Sequence, residues 1–226
     1  MQLLLISSSI VHGYGYLDHA EPEIRSILAG RRSIAYIPYA QFDHAALIAR
    51  NRERFGQFGI EVHPVERRAD LDRAEAIFVS GGNTFRLLKQ LYERDLIGAI
   101  REHVRDRNIP YIGSSAGTNV ATPSIRTTND MPIVYPPSFD ALGLVPFQIN
   151  PHYQDPEPES THKGETREER ILQYLEENET PVVGLREGSM LRVDGDVTTL
   201  VGERPARIFR RGIEPFELSP GSRVDL

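Results

Sequence analysis

The sequence contains no cysteine, no tryptophan and only three methionines. Without cysteine there is no disulfide, no thiolate metal site and no cysteine nucleophile, and the chain suits a reducing compartment. A long apolar run is missing as well. The opening stretch Met1 to Ile6 has no basic residue before it and gives way at once to Ser7, Ser8 and Ser9. It is too short for a signal core or a membrane span, so a cytoplasmic protein whose chain starts on a buried strand is expected. Positive charge is not in excess: 26 Lys and Arg face 32 Asp and Glu, a net charge of −6. That balance argues against a nucleic-acid surface or an anionic membrane as partner. No H-E-x-x-H and no histidine pair at ligand spacing occurs, so neither a metal nor another cofactor is expected.

What is present describes a globular domain. The 226 residues are 39% hydrophobic and 26% charged, enough to bury one sizeable core, and residues 1–226 read as a single α/β domain. Strands are expected at Leu3–Ile6, Ser33–Ile37, Ile60–Val65, Ala76–Val79, Pro110–Gly113, Phe147–Asn150 and Pro181–Leu185. Several are continuous apolar runs, the pattern of strands covered on both faces. Helical spacing fills the gaps at Ala45–Phe55, Asn83–Tyr92, Leu96–Val104 and Glu165–Leu175. Strand–helix alternation of this kind predicts a doubly wound, mainly parallel sheet. Met190–Val193, Val197–Val201 and Ala206–Arg210 read as a short antiparallel C-terminal extension, with Asp194-Gly195 as a hairpin turn. Thr122 to Pro146 has no period and exceeds ordinary loop length, which suits a segment wrapping a site.

The strongest local motif is Gly113-Ser114-Ser115-Ala116-Gly117, between the strand at Pro110–Ile112 and a helix expected over Ala116–Ala121. A G-x-S-x-G elbow needs that context: the turn is so tight that its neighbours must lack bulk, and it lifts the Ser115 hydroxyl to the C-terminal edge of the sheet. The Ala116 N–H then faces a developing oxyanion. Ser80-Gly81-Gly82-Asn83, after another strand, offers a second backbone donor, although a plain βα turn would look the same. The Walker Lys is absent there, and Gly13-Tyr14-Gly15 lacks the third glycine of a dinucleotide loop.

Of seven histidines, His152 follows the strand Phe147–Asn150 and falls on the same sheet edge as Ser115. His162 is a second candidate, while His44 and His103 lie in polar helix faces and read as solvated. Two acids compete to orient the base. Asp130 gives the order Ser–Asp–His and Glu187, at a strand end, gives Ser–His–Glu; both orders occur in serine hydrolases.

Together, LLLISSS, VSGGNTFRLLK, YIGSSAG, IRTTNDMPIV, QINPHY, HKGETREERI and GLREG resemble the peptidase E, or α-aspartyl dipeptidase, family of serine peptidases. The resemblance runs to about Gly188; Ser114 and the stretch Gln154–Thr161 depart from it, and the tail matches weakly. It implies a fold like class I glutamine amidotransferase domains and a hydrolase that cleaves dipeptides with an N-terminal aspartate, as a monomer or homodimer acting on small peptides. In that likeness Ser115 is the nucleophile and His152 the base. The third member is Glu187 or Asp130; a strand end is the more rigid mount, which would leave Asp130 to shape the site or meet the substrate ammonium. Gly82 and Ala116 correspond to the oxyanion donors, and Asn83 and Arg167 to substrate-binding residues, Arg167 reading the aspartate carboxylate through a two-pronged fork. Two other readings stand beside it: a cyanophycinase-like β-aspartyl peptidase, and a non-catalytic module that binds an acidic metabolite.

Overall fold

The computed structural model describes residues 1–156, 161 and 163–226. Each apolar run becomes a strand within a residue or two of its expected ends. They are β1 (Gln2–Ile6), β2 (Ser33–Ile37), β3 (Glu61–Pro64), β4 (Ile77–Val79), β5 (Tyr111–Ser114), β6 (Gln148–Pro151) and β7 (Val182–Leu185). The tail adds β8 (Ser189–Asp194), β9 (Val197–Gly202), β10 (Ala206–Arg210) and β11 (Ile213–Leu218). Helices α1 (Glu21–Ile27), α2 (His44–Gly56), α3 (Thr84–Glu93), α4 (Leu96–Arg105), α5 (Ala116–Asn119) and α6 (Arg167–Glu177) lie between them.

The main sheet runs β3-β2-β4-β5-β1-β8-β9. Its first five strands are parallel, and the β8–β9 hairpin adds two antiparallel strands beside β1. Leu3, Leu4, Leu5 and Ile6 of β1 are all fully buried because helices cover both faces. Leu4 and Ile6 pack with Ile24, Leu47 and Phe55 of α1 and α2, while Leu3 and Leu5 share the opposite core with Leu87, Leu91 and Ile100 of α3 and α4. Burial of that kind contributes about 1.5–3 kcal/mol per large side chain. Among the described residues no helix is long and apolar enough to cross a membrane.

Four features differ from the sequence reading. First, β6 and β7 do not join the main sheet. They pair in parallel and, with β10 and β11, form a second sheet in the order β11-β10-β7-β6. His152 therefore follows a strand of a different sheet from the one that leads to Ser115. Second, β11 has no clean alternation, carries Pro215 and buries little; it is the outer strand, where a missing N–H is tolerated. Third, Asp194 pairs with Val197, so the two-residue turn is Gly195-Asp196 rather than Asp194-Gly195. Fourth, His103 is 3% exposed, not solvated, and its Nδ1 lies 2.8 Å from the Ala99 carbonyl.

Helix starts are set by side chains. Asp43 caps α2 and Asn83 caps α3 by accepting from amides three residues on. Thr166 and Glu169 form a reciprocal capping box, so α6 begins at Arg167 rather than at Glu165.

Candidate active site

The strand-to-helix turn after β5 is built by close packing. A Cβ on Gly113 would lie 2.6 Å from the Gly117 carbonyl oxygen, and one on Gly117 would collide with the Val79 carbonyl oxygen. Only glycine fits either place. Between them Ser115 adopts φ 54° and ψ −110°, an uncommon backbone for a residue with a side chain. Its amide donates to the Ile6 carbonyl at 3.0 Å, and Thr118 Oγ1 donates to Ile6 and Gly113 carbonyls at 2.7 and 2.9 Å. The elbow is thus braced against β1 and β5.

His152, directly after β6, also has a positive φ, 54°. Its amide donates to Ser7 Oγ at 3.0 Å, and that hydroxyl donates to the Leu185 carbonyl at 2.7 Å. Ser7, fully buried at the end of β1, is the joint between the two sheets. The ring spans the gap: Nε2 lies 2.9 Å from Ser115 Oγ and Nδ1 2.6 Å from Glu187 Oε1. An imidazole with Nδ1–H toward Glu187 leaves Nε2 free to accept the serine proton.

Asp130 lies elsewhere. Its Oδ2 accepts from the Thr84 amide at 2.7 Å and from Thr84 Oγ1 at 2.6 Å, at the start of α3. It makes no hydrogen bond or ion pair with His152. The two acids weighed from the sequence therefore occupy different places, and Glu187 is the one that touches His152. His162, the other candidate base, lies outside the described residues.

The Gly81-Gly82 turn adjoins the elbow, for a Cβ on Gly81 would lie 2.9 Å from Ser115 Cβ. Gly82 has φ 145°, and a Cβ there would strike the Ala40 carbonyl oxygen. Among the described residues the Gly82 and Ala116 amides donate to no protein acceptor. The side chain of Asn83 is engaged on both sides: Oδ1 accepts from the Arg86 amide at 3.0 Å and Nδ2 donates to the Met131 carbonyl at 2.9 Å.

The aperiodic loop Thr122–Pro146 closes the site between these parts. Asn129 Nδ2 donates to the Pro151 carbonyl at 2.6 Å, Asp130 caps Thr84, and Met131 meets Asn83. It therefore runs from the residue before His152 to the turn beside Ser115. Arg167 is half-buried at the first position of α6. Burial lowers its pKa and repulsion from Arg170 adds to that, while the charge of Asp130 opposes both. Among the described residues it has no hydrogen-bond or ion-pair partner.

Sequence reasoning missed Ser7 and Asn129 as supports of the segment that carries His152. Ser7 carried one signal, its place directly after the apolar run of β1, at the edge where loops converge.

Known proteins share this architecture. A peptidase from an acI-B1 Actinobacterium superposes with a TM-score of 0.68 over 100% of this chain and 96% of its own, at 19% identity, which speaks for the fold alone. Sequence likeness goes further. Residues 3–201 match the pattern of peptidase family S51. Peptidase E of Streptomyces coelicolor is 57% identical over 226 residues, covering 98% of this chain and 93% of that protein. A Drosophila melanogaster protein named "Probable alpha-aspartyl dipeptidase" is 50% identical over 224 residues, covering 96% of this chain and 93% of its own. The chain is a serine-type peptidase of mixed α/β architecture. It belongs to peptidase family S51.

Proposed function

We propose that this peptidase is a dipeptidase for substrates with an N-terminal aspartate, acting through Ser115, His152 and Glu187. The observation that carries the reading is the unbroken hydrogen-bond chain from Ser115 Oγ through His152 to Glu187, at 2.9 and 2.6 Å, mounted on a strained elbow.

His152 Nε2 takes the Ser115 proton as Oγ attacks the carbonyl carbon of the aspartyl residue. The oxygen of the tetrahedral intermediate becomes an anion held by the Gly82 and Ala116 N–H groups, which donate to no acceptor among the described residues. His152 then gives its proton to the departing amine, and the C–N bond breaks. Water, deprotonated by the same nitrogen, attacks the aspartyl ester; the C–Oγ bond breaks, His152 returns the proton to Ser115 Oγ, and aspartate is freed. Glu187 holds the ring orientation and stabilises the imidazolium throughout. Asp130 and Asn83 shape the site from the start of α3, Asn83 by fixing the loop edge at Met131. The guanidinium of Arg167, without a partner among the described residues, accounts for aspartate selectivity: a fork and a carboxylate make two parallel charge-assisted hydrogen bonds.

The test is aspartate release from Asp-Leu, with Ala-Leu and a β-linked Asp dipeptide as comparisons. Ser115→Ala should lower turnover by on the order of 10⁴-fold or more. Arg167→Ala should lower kcat/KM for Asp-Leu by roughly 10²-fold, the cost of an unmatched charged pair. Preference for the β-linked peptide would move the reading to a β-aspartyl peptidase, and a wild type without turnover that still binds aspartate would replace it with a binding module.

A further inference from the structure

The second sheet carries a charged network that the reaction does not use. Arg186, one residue before Glu187, is 8% exposed and spends all its donors. Nε and Nη2 donate to Asp155 at 2.8 and 2.6 Å, Nη1 and Nη2 to Glu217 at 2.8 and 2.9 Å, and Nη1 again to the Pro205 carbonyl at 2.8 Å. Glu217 is a shared hub, because Arg207 Nη1 reaches its Oε1 at 3.2 Å. Arg207 in turn forks onto Glu168 through Nε at 2.7 Å and Nη2 at 3.3 Å. Tyr153, the residue after His152 and 2% exposed, adds its hydroxyl to Glu168 Oε2 at 3.1 Å.

Glu168 is the second residue of α6 and Arg167 the first. Successive side chains on a helix diverge by about 100°, so pinning Glu168 toward β10 turns Arg167 away from that strand. Arg207 and Glu217 lie on β10 and β11, past residue 201 where the family match ends.

We propose that the β10–β11 hairpin is a specificity-positioning element: through Arg207 and Glu217 it fixes the first turn of α6 and with it the approach of Arg167 to the substrate carboxylate. This rests on the reading of Arg167 as the carboxylate reader. Arg207, Glu217 and Glu168 touch no reacting atom and act through Arg167.

Kinetics on Asp-Leu and Asn-Leu, together with inactivation of Ser115 by the neutral reagent phenylmethanesulfonyl fluoride, test it. Arg207→Gln and Glu168→Gln should each raise KM for Asp-Leu about tenfold and shrink the Asp-Leu over Asn-Leu preference by about as much, the expected penalty for a displaced positioning group. The inactivation rate should stay within about twofold of wild type, since the elbow is untouched. The double variant should be no worse than either single one, and Arg207→Lys should recover part of the loss because an ammonium supplies the charge without the fork. If Arg207→Gln does not fold, Glu168→Gln and Arg207→Lys carry the same readouts. An unchanged KM and preference in the variants overturns the inference, as does an inactivation rate that falls in step with kcat/KM. A wild type that treats Asp-Leu and Asn-Leu alike removes the carboxylate reading itself, and the inference with it.

Discussion

Ser115 and His152, the proposed nucleophile and base, sit on two regions built by different means. The Ser115 side is local and steric: a strand, a five-residue turn and a short helix, packed so closely that Gly113 and Gly117 admit no Cβ. The His152–Glu187 side is assembled from distant chain segments by polar contacts. Ser7 joins β1 to β6 and β7, and Arg186 ties Asp155 to Glu217. A region held by sterics has no slack, so changes there should damage fold and chemistry together. A region whose reacting side chains are partly exposed, as Glu187 and His152 are, should let the two be separated.

Glu187→Gln is the sharpest way to break that comparison. The Glu187 side chain is 48% exposed, so its loss should leave Tm almost unchanged while kcat falls by roughly 10⁴-fold through a misoriented imidazole. A large drop in Tm, read by thermal unfolding, would make the second region as rigid as the first. Gly117→Ala should do the opposite: a methyl driven into the Val79 carbonyl costs about 1–3 kcal/mol or more and carries activity down with stability. Full activity in a stable Gly117→Ala protein would contradict the steric account of the elbow.

Ser7→Ala falls between the two. It strands the His152 amide and the Leu185 carbonyl at a fully buried joint, which should cost about 1–3 kcal/mol. Denaturant unfolding measures that cost, and kcat should fall more than KM changes, because the base shifts rather than the substrate pocket.

The smallest effect concerns pH. Hydrogen bonds from Arg186 hold the carboxyls of Asp155 and Glu217 below their usual range. Groups with lowered folded pKa stabilise fully above their unfolded values, near pH 4, and the contribution fades as pH falls further. Arg186→Met should therefore lower Tm at pH 7, and the gap to wild type should narrow below about pH 4. Both carboxylates are partly exposed, so the gap is modest, and Tm curves that stay parallel down to pH 3 would refute the assignment.

Much of this was legible in the chain. β2 and β10 begin and end at the expected residues because short β-branched and apolar runs bounded by turn residues leave few alternatives. Ser115 and Ala116 can be nominated from spacing, since tight turns restrict residue types within a few positions, whereas Gly82 is nominated through the family resemblance. β11 was not legible: exposed, proline-bearing edge strands carry no alternation to read. Nor was the burial of His103, which depends on the 3₁₀ turn at Arg68–Arg73 and on α4 meeting in space.

The chain alone carried the mainly parallel, doubly wound character of the sheet, the elbow and the family, because these follow from patterns among near neighbours: side-chain periodicity, glycine sterics and short motifs. Only the tertiary structure decided that β6 and β7 leave the main sheet, that Glu187 rather than Asp130 meets His152, and that the last hairpin anchors α6. Those outcomes turn on hydrogen bonds of 2.6–3.3 Å between groups 35 or more residues apart, such as His152–Glu187 and Arg207–Glu168. Hydrogen bonds lose their strength within a fraction of an ångström, so no local pattern can specify which distant partners will meet.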